Sequence, residues 1–453
     1  MLPLTVAEIV AATRAEVVGG PLPEGPVTIS TDTRALQAGQ VFLALRGPNF
    51  DAHDFVDQAF ARGAVAALVS RRPRRAAGPL LLVPDTLRAL GEVAASWRRR
   101  FTCPVLAVTG STGKTTTKEL AAAILARRGP VLKTAANYNN EIGVPLAVFG
   151  LAPEHQGAVF ELGMRAPGEI TYLAGIVQPT VAVITNVGHS HLERLGSLEA
   201  IADAKAEVLE HLPPDGVAVL NADDAQYLRL RQRVAGRALT FSAHGKGDVR
   251  AEGVAFRENL YPEFRLCAPQ GEIQVAMALP GRHNLANGLA AAAACLAAGS
   301  TLHAVAAGLA QPLVLSKRLH LRTAPSGAAI IDDCYNASPA SMQVALELLA
   351  GMSADTRVAV LGDMKELGPD EADLHRQIGA LVADSGVDRL IALGPLAGHY
   401  AEGAGDLPQG VVCTLQVEEA ASLAAESARA GTIILVKGSR AMGMERIVER
   451  LLS

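Results

Sequence analysis

The chain has 453 residues, 49% hydrophobic and 19% charged, enough for about two to four domains with cores of their own. A net charge of −4 leaves no overall electrostatic footprint for nucleic acid or a membrane surface, and 4% aromatics argue against a stacking platform for single strands. The five cysteines, none in a CxxC pair, fit a reducing cytoplasm and exclude a zinc ribbon.

The first residues lack a basic start followed by a long apolar stretch. Instead "TVAE" reads as a capping box, Thr5 with Glu8, opening a short amphipathic helix. Short strands follow at "VFLAL" (41–45), "AVAALV" (64–69) and "LLLV" (80–83). The basic runs at 70–75 and 97–100 read as solvated surface or a domain edge, and the second closes a first domain, 1–98. From 99 to 313 the chain alternates helical segments with apolar strands: "PVLAVTG", "GAVFELG" (157–163), "TVAVITN" (180–186) and "GVAVLNA" (216–222). That alternation predicts a parallel sheet covered on both faces. The alanine-rich stretch 286–298 reads as a helix interrupted by Gly and Asn. A third domain, 314–453, repeats the style with "AAIIDD", "RVAVLGD", "RLIALG" and "TIILVKGS". No apolar run approaches the roughly 20 residues that cross a bilayer. The expectation is an α/β protein of three domains: a smaller N-terminal one, a central P-loop-type doubly wound, mostly parallel sheet, and a C-terminal Rossmann-like unit.

The strongest local signal is "VLAVTGSTGKTTTKELAAAIL" (105–125), an apolar strand running through a glycine-rich turn into a helix. Thr109, Gly110, Ser111, Thr112, Gly113, Lys114, Thr115 and Thr116 form the turn. Backbone N–H groups and a helix N-terminus cradle phosphate oxygens, Lys114 bridges the outer phosphates, and the Thr115 hydroxyl binds Mg²⁺. The general GxxxxGK[ST] pattern needs Gly at 108, where Val108 stands, so the loop is a shortened variant.

Glu161 ends one strand, and His189 and His191 follow another, in "NVGHSHLERLG". Carboxyl ends of strands gather ligands in such a sheet, and carboxylate, imidazole and hydroxyl suit Mg²⁺ or Mn²⁺ on phosphates. Next, "SLEAIADAKAEVLEHL" (197–212) reads as one helix with Leu198, Ile201, Val208, Leu209 and Leu212 on a buried stripe, and Lys205 in the middle of that stripe. Two readings stay open. The amine snorkels or pairs with a carboxylate, or burial lowers its pKa so that it reacts with CO₂ to a carbamate able to support a second Mg²⁺.

Together, TGSTGKTT, "NYNNEIGVP" (137–145), "ELGMRAPGEI" (161–170), "HLERLGSLEAIADAKAEV" (191–208) and "GRHNLANGLAAAAA" (281–294) resemble the Mur ligases, ATP-dependent amide-forming enzymes of peptidoglycan synthesis, over essentially the whole chain. "IIDDCYNASPASM" (330–342), "VLGDMKELG" (360–368), "LVKGSRAMGMERIV" (435–448) and the segment 30–55 are similar to the branch that makes the last of four amino-acid additions. The DNPR motif of the diaminopimelate-adding branch is absent. Ser338 stands where that branch usually has Asn.

The resemblance implies a cytoplasmic, monomeric enzyme. It would use ATP to phosphorylate the terminal carboxylate of UDP-N-acetylmuramoyl-tripeptide, and the amine of D-alanyl-D-alanine would then attack the acyl phosphate. It implies two Mg²⁺ ions on Thr115, Glu161, His191 and a carbamate on Lys205, which leaves His189 a bystander. It puts Lys114, Lys205, His191 and Glu161 at the chemistry, Asn284 at adenine, Arg318 at the phosphates, and Asp333, Tyr335 and Asn336 over the nucleotide. Ser30, Asp32, Arg34, Asn49, Phe50 and Asp51 would hold the UDP-sugar, and Asn139 and Asn140 would line the substrate channel. Turn capping is the alternative for the C-terminal Asp and Asn residues. His375 reads as a helix-surface histidine.

Overall fold

The computed structural model describes residues 4–47, 49–73, 77–135, 138–188, 192–258, 260–313 and 317–453. Its centre is a nine-stranded sheet in the order Val131–Lys133, Gly157–Glu161, Val105–Thr109, Val181–Ile184, Val217–Asn221, Arg237–Ser242, Val249–Arg257, Tyr261–Ala268 and Gly271–Ala276. The first seven strands run parallel and the last two fold back as an antiparallel meander. Every residue of Val105–Thr109 and of Gly157–Glu161 is buried, as strands covered on both faces require. Helices Thr86–Arg98, Gly143–Val148 and Glu169–Val177 cover one face, while Lys114–Leu125, His283–Ala297 and Leu302–Leu309 cover the other. The chain visits the sheet on one side of Val105–Thr109 and then on the other. The turn after that strand therefore opens into the crevice where strand order reverses.

A five-stranded sheet (Glu16–Val18, Leu80–Leu82, Ala66–Val69, Val41–Leu43, Ile29–Ser30) lies on the N-terminal side, parallel except for its first strand. One apolar core runs from this sheet through Trp97 of helix Thr86–Arg98 into the central sheet. The C-terminal sheet has six strands in the order His320–Thr323, Ala329–Asp333, Thr432–Lys437, Thr356–Gly362, Arg389–Leu393 and Val411–Thr414, the first antiparallel and the rest parallel. The expected α/β class and parallel sheets are present. No helix among the described residues is long and apolar enough to cross a membrane.

The Thr5 capping box forms, with Thr5 Oγ1 accepting from Glu8 N and Glu8 Oε2 from Thr5 N. Four expectations change. The alanine-rich helix is continuous over His283–Ala297; Asn287 and Gly288 lie buried inside it and do not interrupt it. The stretch 197–212 is not one helix: Leu198–Ala206 is α-helical and Glu207–His211 tightens to a 3₁₀ turn, leaving Leu198 and Leu212 only half-buried. Arg98 is not a solvated edge. It is buried and donates to Val177 O (2.8 Å) and Gln178 O (3.2 Å), carbonyls left open at the end of helix Glu169–Val177, and to Phe101 O (2.6 Å). His375 is not on a helix surface. Its ring is fully buried against Tyr400, with Nε2 accepting from Met364 N at 3.0 Å and Nδ1 2.6 Å from Glu371 O. Burial lowers its pKa.

Candidate functional site

The glycine-rich turn is held open by its neighbours. Asn186, two residues past the end of the adjacent strand Val181–Ile184, accepts from Thr112 N (2.9 Å) at its side chain and from Ser111 N (3.0 Å) at its carbonyl. Its amide donates to Thr112 Oγ1 at 2.9 Å, and Thr185 Oγ1 donates to Thr112 O at 2.6 Å. Gly110 and Gly113 have φ of +149° and +77°; a Cβ at the first would strike Thr185 and at the second Asn287. Thr109 is buried, its carbonyl accepting from Thr185 N. Lys114 opens the following helix and folds back over the turn, Nζ donating to Gly110 O at 2.6 Å and Ser111 O at 3.3 Å. Burial lowers its pKa, opposed by Glu161 and reinforced by Arg318.

Glu161 sits at the end of its strand, 1% exposed. Its carboxylate accepts from Thr115 Oγ1 at 2.6 Å and Asn139 Nδ2 at 2.8 Å. Thr116 faces the same cleft. Asn140 spends its carbonyl oxygen on the start of helix Gly143–Val148, accepting from Gly143 N at 2.9 Å. Lys205 is 2% exposed and lines the cleft near this group, and its ammonium makes no ion pair or hydrogen bond to a described residue. Burial, then the charge of Lys114, push its pKa well below the ordinary lysine value. His189 and His191, expected beside Glu161, lie outside the described residues.

The opposite wall comes from the C-terminal sheet. Asp333 ends its strand and is buried; Oδ2 accepts from Lys437 Nζ at 2.6 Å and Oδ1 from Leu319 N at 3.2 Å. Burial raises its pKa and Lys437 opposes the rise. Lys437 also donates to Asn336 O at 2.9 Å. The Arg318 guanidinium lies 4.1 Å from the centre of the Tyr335 ring. Asn284 is buried, donating to Pro280 O at 2.7 Å and accepting from Asn287 at 2.9 Å. Beside it, burial lowers the His283 pKa to about 4, with Lys437 adding to the shift. Ser338 caps helix Pro339–Gly351 in a reciprocal pair with Ser341, which gives that position a structural role.

These walls enclose one cleft of about 1180 Å³. It brings together Gly110–Lys114, Thr116, Asn139, Asn140, Glu161, Lys205, Asn284, Arg318, Asp333, Tyr335 and Asn336. Ser30, Asp32, Arg34, Asn49, Phe50 and Asp51 do not line it. They form two clusters on the N-terminal unit. In one, Asp32 takes a bidentate pair from Arg34 and its carbonyl accepts from Ser30 Oγ. In the other, Asp51 accepts from His53, and Phe50 stacks on Phe55 with centroids 5.4 Å apart. Sequence reasoning missed Asn186, Asn287, His283 and Lys437. The first and last stand at strand ends, which is the signal that could have found them.

Comparison with known proteins covers all three of the large sheets. The models described as "Mur ligase family, catalytic domain", "Mur ligase middle domain" and "Mur ligase, glutamate ligase domain" match residues 27–98, 108–295 and 317–440. The chain is 40% identical over 453 residues to the UDP-N-acetylmuramoyl-tripeptide--D-alanyl-D-alanine ligase of Escherichia coli K12, covering 100% of this chain and 99% of the other. A solved structure from Acinetobacter baumannii, the UDP-N-acetylmuramoylalanyl-D-glutamyl-2,6-diaminopimelate--D-alanyl-D-alanyl ligase, superposes with a TM-score of 0.88 at 35% identity, covering 99% and 98%. The MurF ligase of Thermotoga maritima in complex with ADP superposes at 0.83 with 29% identity, covering 94% and 96%. With family models spanning most of its length and a full-length relative at this identity, the chain belongs to the Mur ligase family.

Proposed function

We propose that this protein joins D-alanyl-D-alanine to UDP-N-acetylmuramoyl-tripeptide at the expense of ATP, through an acyl phosphate, giving the UDP-muramoyl-pentapeptide precursor of peptidoglycan, ADP and phosphate. The observation that carries the reading is the single cleft in which the glycine-rich turn faces Arg318, Tyr335 and Asp333 across buried Glu161 and Lys205. We take the unit boundaries to lie near 98 and 313, with the nucleotide between the second and third units and the UDP end on Ser30, Asp32, Arg34, Asn49, Phe50 and Asp51 of the first. A UDP-linked substrate and ATP put the reaction in the cytoplasm.

A carboxylate is a poor electrophile because its charge repels an amine. Transfer of the γ-phosphoryl group to it supplies a leaving group, and charge must be neutralised in both steps. Lys114, held at the turn, meets the phosphates. Arg318 faces them from the opposite wall. Asn284 and the Asp333, Tyr335 and Asn336 segment close over the nucleoside, while Asn139 and Asn140 border the path of the peptide.

Thr115 and Glu161 are hard oxygen donors 2.6 Å apart, which fits Mg²⁺ or Mn²⁺ taking one or two protein ligands and filling the rest with phosphate and water. Among the described residues no three His, Cys, Asp or Glu side chains gather as a metal site, so a second ion needs a further donor. A carbamate on Lys205 would be that donor: the buried amine, which pairs with no described residue, is favoured neutral, and it would add CO₂ through its nitrogen with loss of one proton to give an anion. His191 is the remaining ligand of the set. When bound, the ions supply charge neutralisation on the phosphoryl group and the carboxylate.

Phosphate release is the test, measured with ATP, Mg²⁺ and UDP-N-acetylmuramoyl-tripeptide, with and without D-alanyl-D-alanine. Release that requires both substrates, with a new amide seen by mass spectrometry, is expected. Release indifferent to both would overturn the assignment.

A further inference from the structure

Two arginines of the cleft have no part in the reading above. Arg88 lies in the first turn of helix Thr86–Arg98, which leads from the N-terminal sheet into the central one; Arg165 lies between Glu161 and helix Glu169–Val177. Both line the cleft and both are exposed. Neither guanidinium hydrogen-bonds or ion-pairs with a described residue. The acids nearest in sequence are engaged elsewhere: Asp85 accepts from Leu87 N and Arg88 N, Glu169 from Arg165 N at 2.6 Å, and Glu161 from the Thr115 and Asn139 side chains. The two segments are tied together, because the Tyr172 hydroxyl donates to Leu87 O at 3.1 Å. The backbone under each arginine is therefore fixed while its charged head is held by no described residue.

An unpaired guanidinium facing a cleft is suited to a planar oxyanion. On the ligase reading, on which this inference rests, Lys114 and Arg318 already serve the phosphates. The peptide brings more charge. In an alanyl-D-glutamyl-2,6-diaminopimelate chain such as the Acinetobacter relative's name describes, the glutamyl residue has two carboxyl groups and uses one in the chain. The diaminopimelyl residue has two and presents one to be activated. Each leaves one carboxylate over.

We propose that Arg88 and Arg165 bind these two spare carboxylates, Arg88 the glutamyl one and Arg165 the diaminopimelyl one, so that Arg165 reads the third residue of the tripeptide. The assignment follows the course of the chain. Arg165 lies four residues beyond Glu161, which binds Thr115 of the glycine-rich turn, and shares the cleft with that turn, where the reacting carboxylate must come. Arg88 lies on the helix descending from the unit that holds the UDP end. A lysine in third place keeps the distal ammonium and lacks the carboxylate beside it, so Arg165 loses its attraction and a net repulsion is left.

The test is a set of dissociation constants for UDP-N-acetylmuramoyl-tripeptides ending in diaminopimelate or lysine, with kcat for the diaminopimelate form. We expect Arg165→Gln to weaken the diaminopimelate form on the order of 10- to 100-fold, the loss of one charge-assisted contact, with kcat nearly unchanged. Binding of the lysine form stays equal or improves. Arg165→Lys recovers part of the loss, and Arg88→Gln weakens both forms alike. An Arg165→Gln variant that loses both forms equally, or neither, overturns the assignment of Arg165, and Arg88→Gln with unchanged binding overturns that of Arg88. A wild type that makes no amide with either form would refute the ligase reading itself, an outcome separable from both.

Discussion

Lys205 is a cation at a position where packing calls for an apolar side chain, between buried Ile201 and Leu209. The spacing made this legible from sequence, but not the consequence. Depth of burial and the neighbouring Lys114 charge, which lower its pKa, are visible only in three dimensions. The sign of the effect is definite. Between the lowered folded value and the ordinary 10.5, the unfolded chain holds a proton that the folded one does not. Stability through this group therefore rises with pH across that window and is reduced below it. If the amine becomes a carbamate, Lys205→Ala abolishes most ligation, and acetate or bicarbonate partly restores it. An alanine variant with near-normal turnover would remove the carbamate from the mechanism. Lys114→Ala is expected to slow phosphoryl transfer on the order of 10³-fold or more, read as single-turnover ADP formation. Unchanged ATP turnover would take Lys114 out of the site. His375 marks the opposite limit of legibility. In "EADLHRQIG" it stands among polar residues, and the Met364 N–H that it satisfies lies on another strand's exit.

At the scale of elements, the parallel strands in the middle of each sheet are readable because burial on both faces makes them unbroken apolar runs. The edge strands Val131–Lys133 and Val411–Thr414 are too short to stand out, and the strands Arg237–Ser242 and Val249–Arg257 and the meander from Tyr261 to Ala276 carry mixed polarity, so none of them gives such a signal. The arginines at 98 and 165 show why composition misleads locally: the same side chain is sunk onto carbonyls in one place and, in the other, lines a cleft with no partner among the described residues. Ser338 is a case where the sequence departs from its family's pattern and the element explains it. Its hydroxyl accepts from Ser341 N, and the Ser341 hydroxyl accepts from Ser338 N, ahead of Pro339 at the first helical position. Ser338→Ala is expected to cost about 1 kcal/mol in denaturant unfolding, and Ser338→Asn, which also caps, much less. Equal losses for the two would mean that the hydroxyl does something other than cap.

For the whole molecule the decisive fact is that no single sheet builds the cleft. The glycine-rich turn, Glu161 and Lys205 belong to the central sheet's crevice, while Arg318, Asp333, Tyr335 and Lys437 come from the C-terminal sheet. A ligand that touches both walls binds more tightly when they are close than when they are apart, and only such a difference in affinity can shift the population of shapes. On the proposed reading, a nucleotide between Lys114 and Arg318 would have that property, and a UDP-tripeptide reaching from the N-terminal unit to Glu161 would add a second tether. An acyl phosphate is also lost to hydrolysis unless water is kept out, so closure would protect the intermediate as well as assemble the site. The protein is therefore expected to compact in small-angle scattering when a non-hydrolysable ATP analogue and the UDP-substrate are present together, and less with either alone. Arg318→Ala should weaken the response to the nucleotide and leave the response to the UDP-substrate. A radius of gyration indifferent to both ligands, at concentrations shown to saturate the cleft, would mean that the walls stand at their working distance before anything binds, and protection of the intermediate would have to come from the peptide itself.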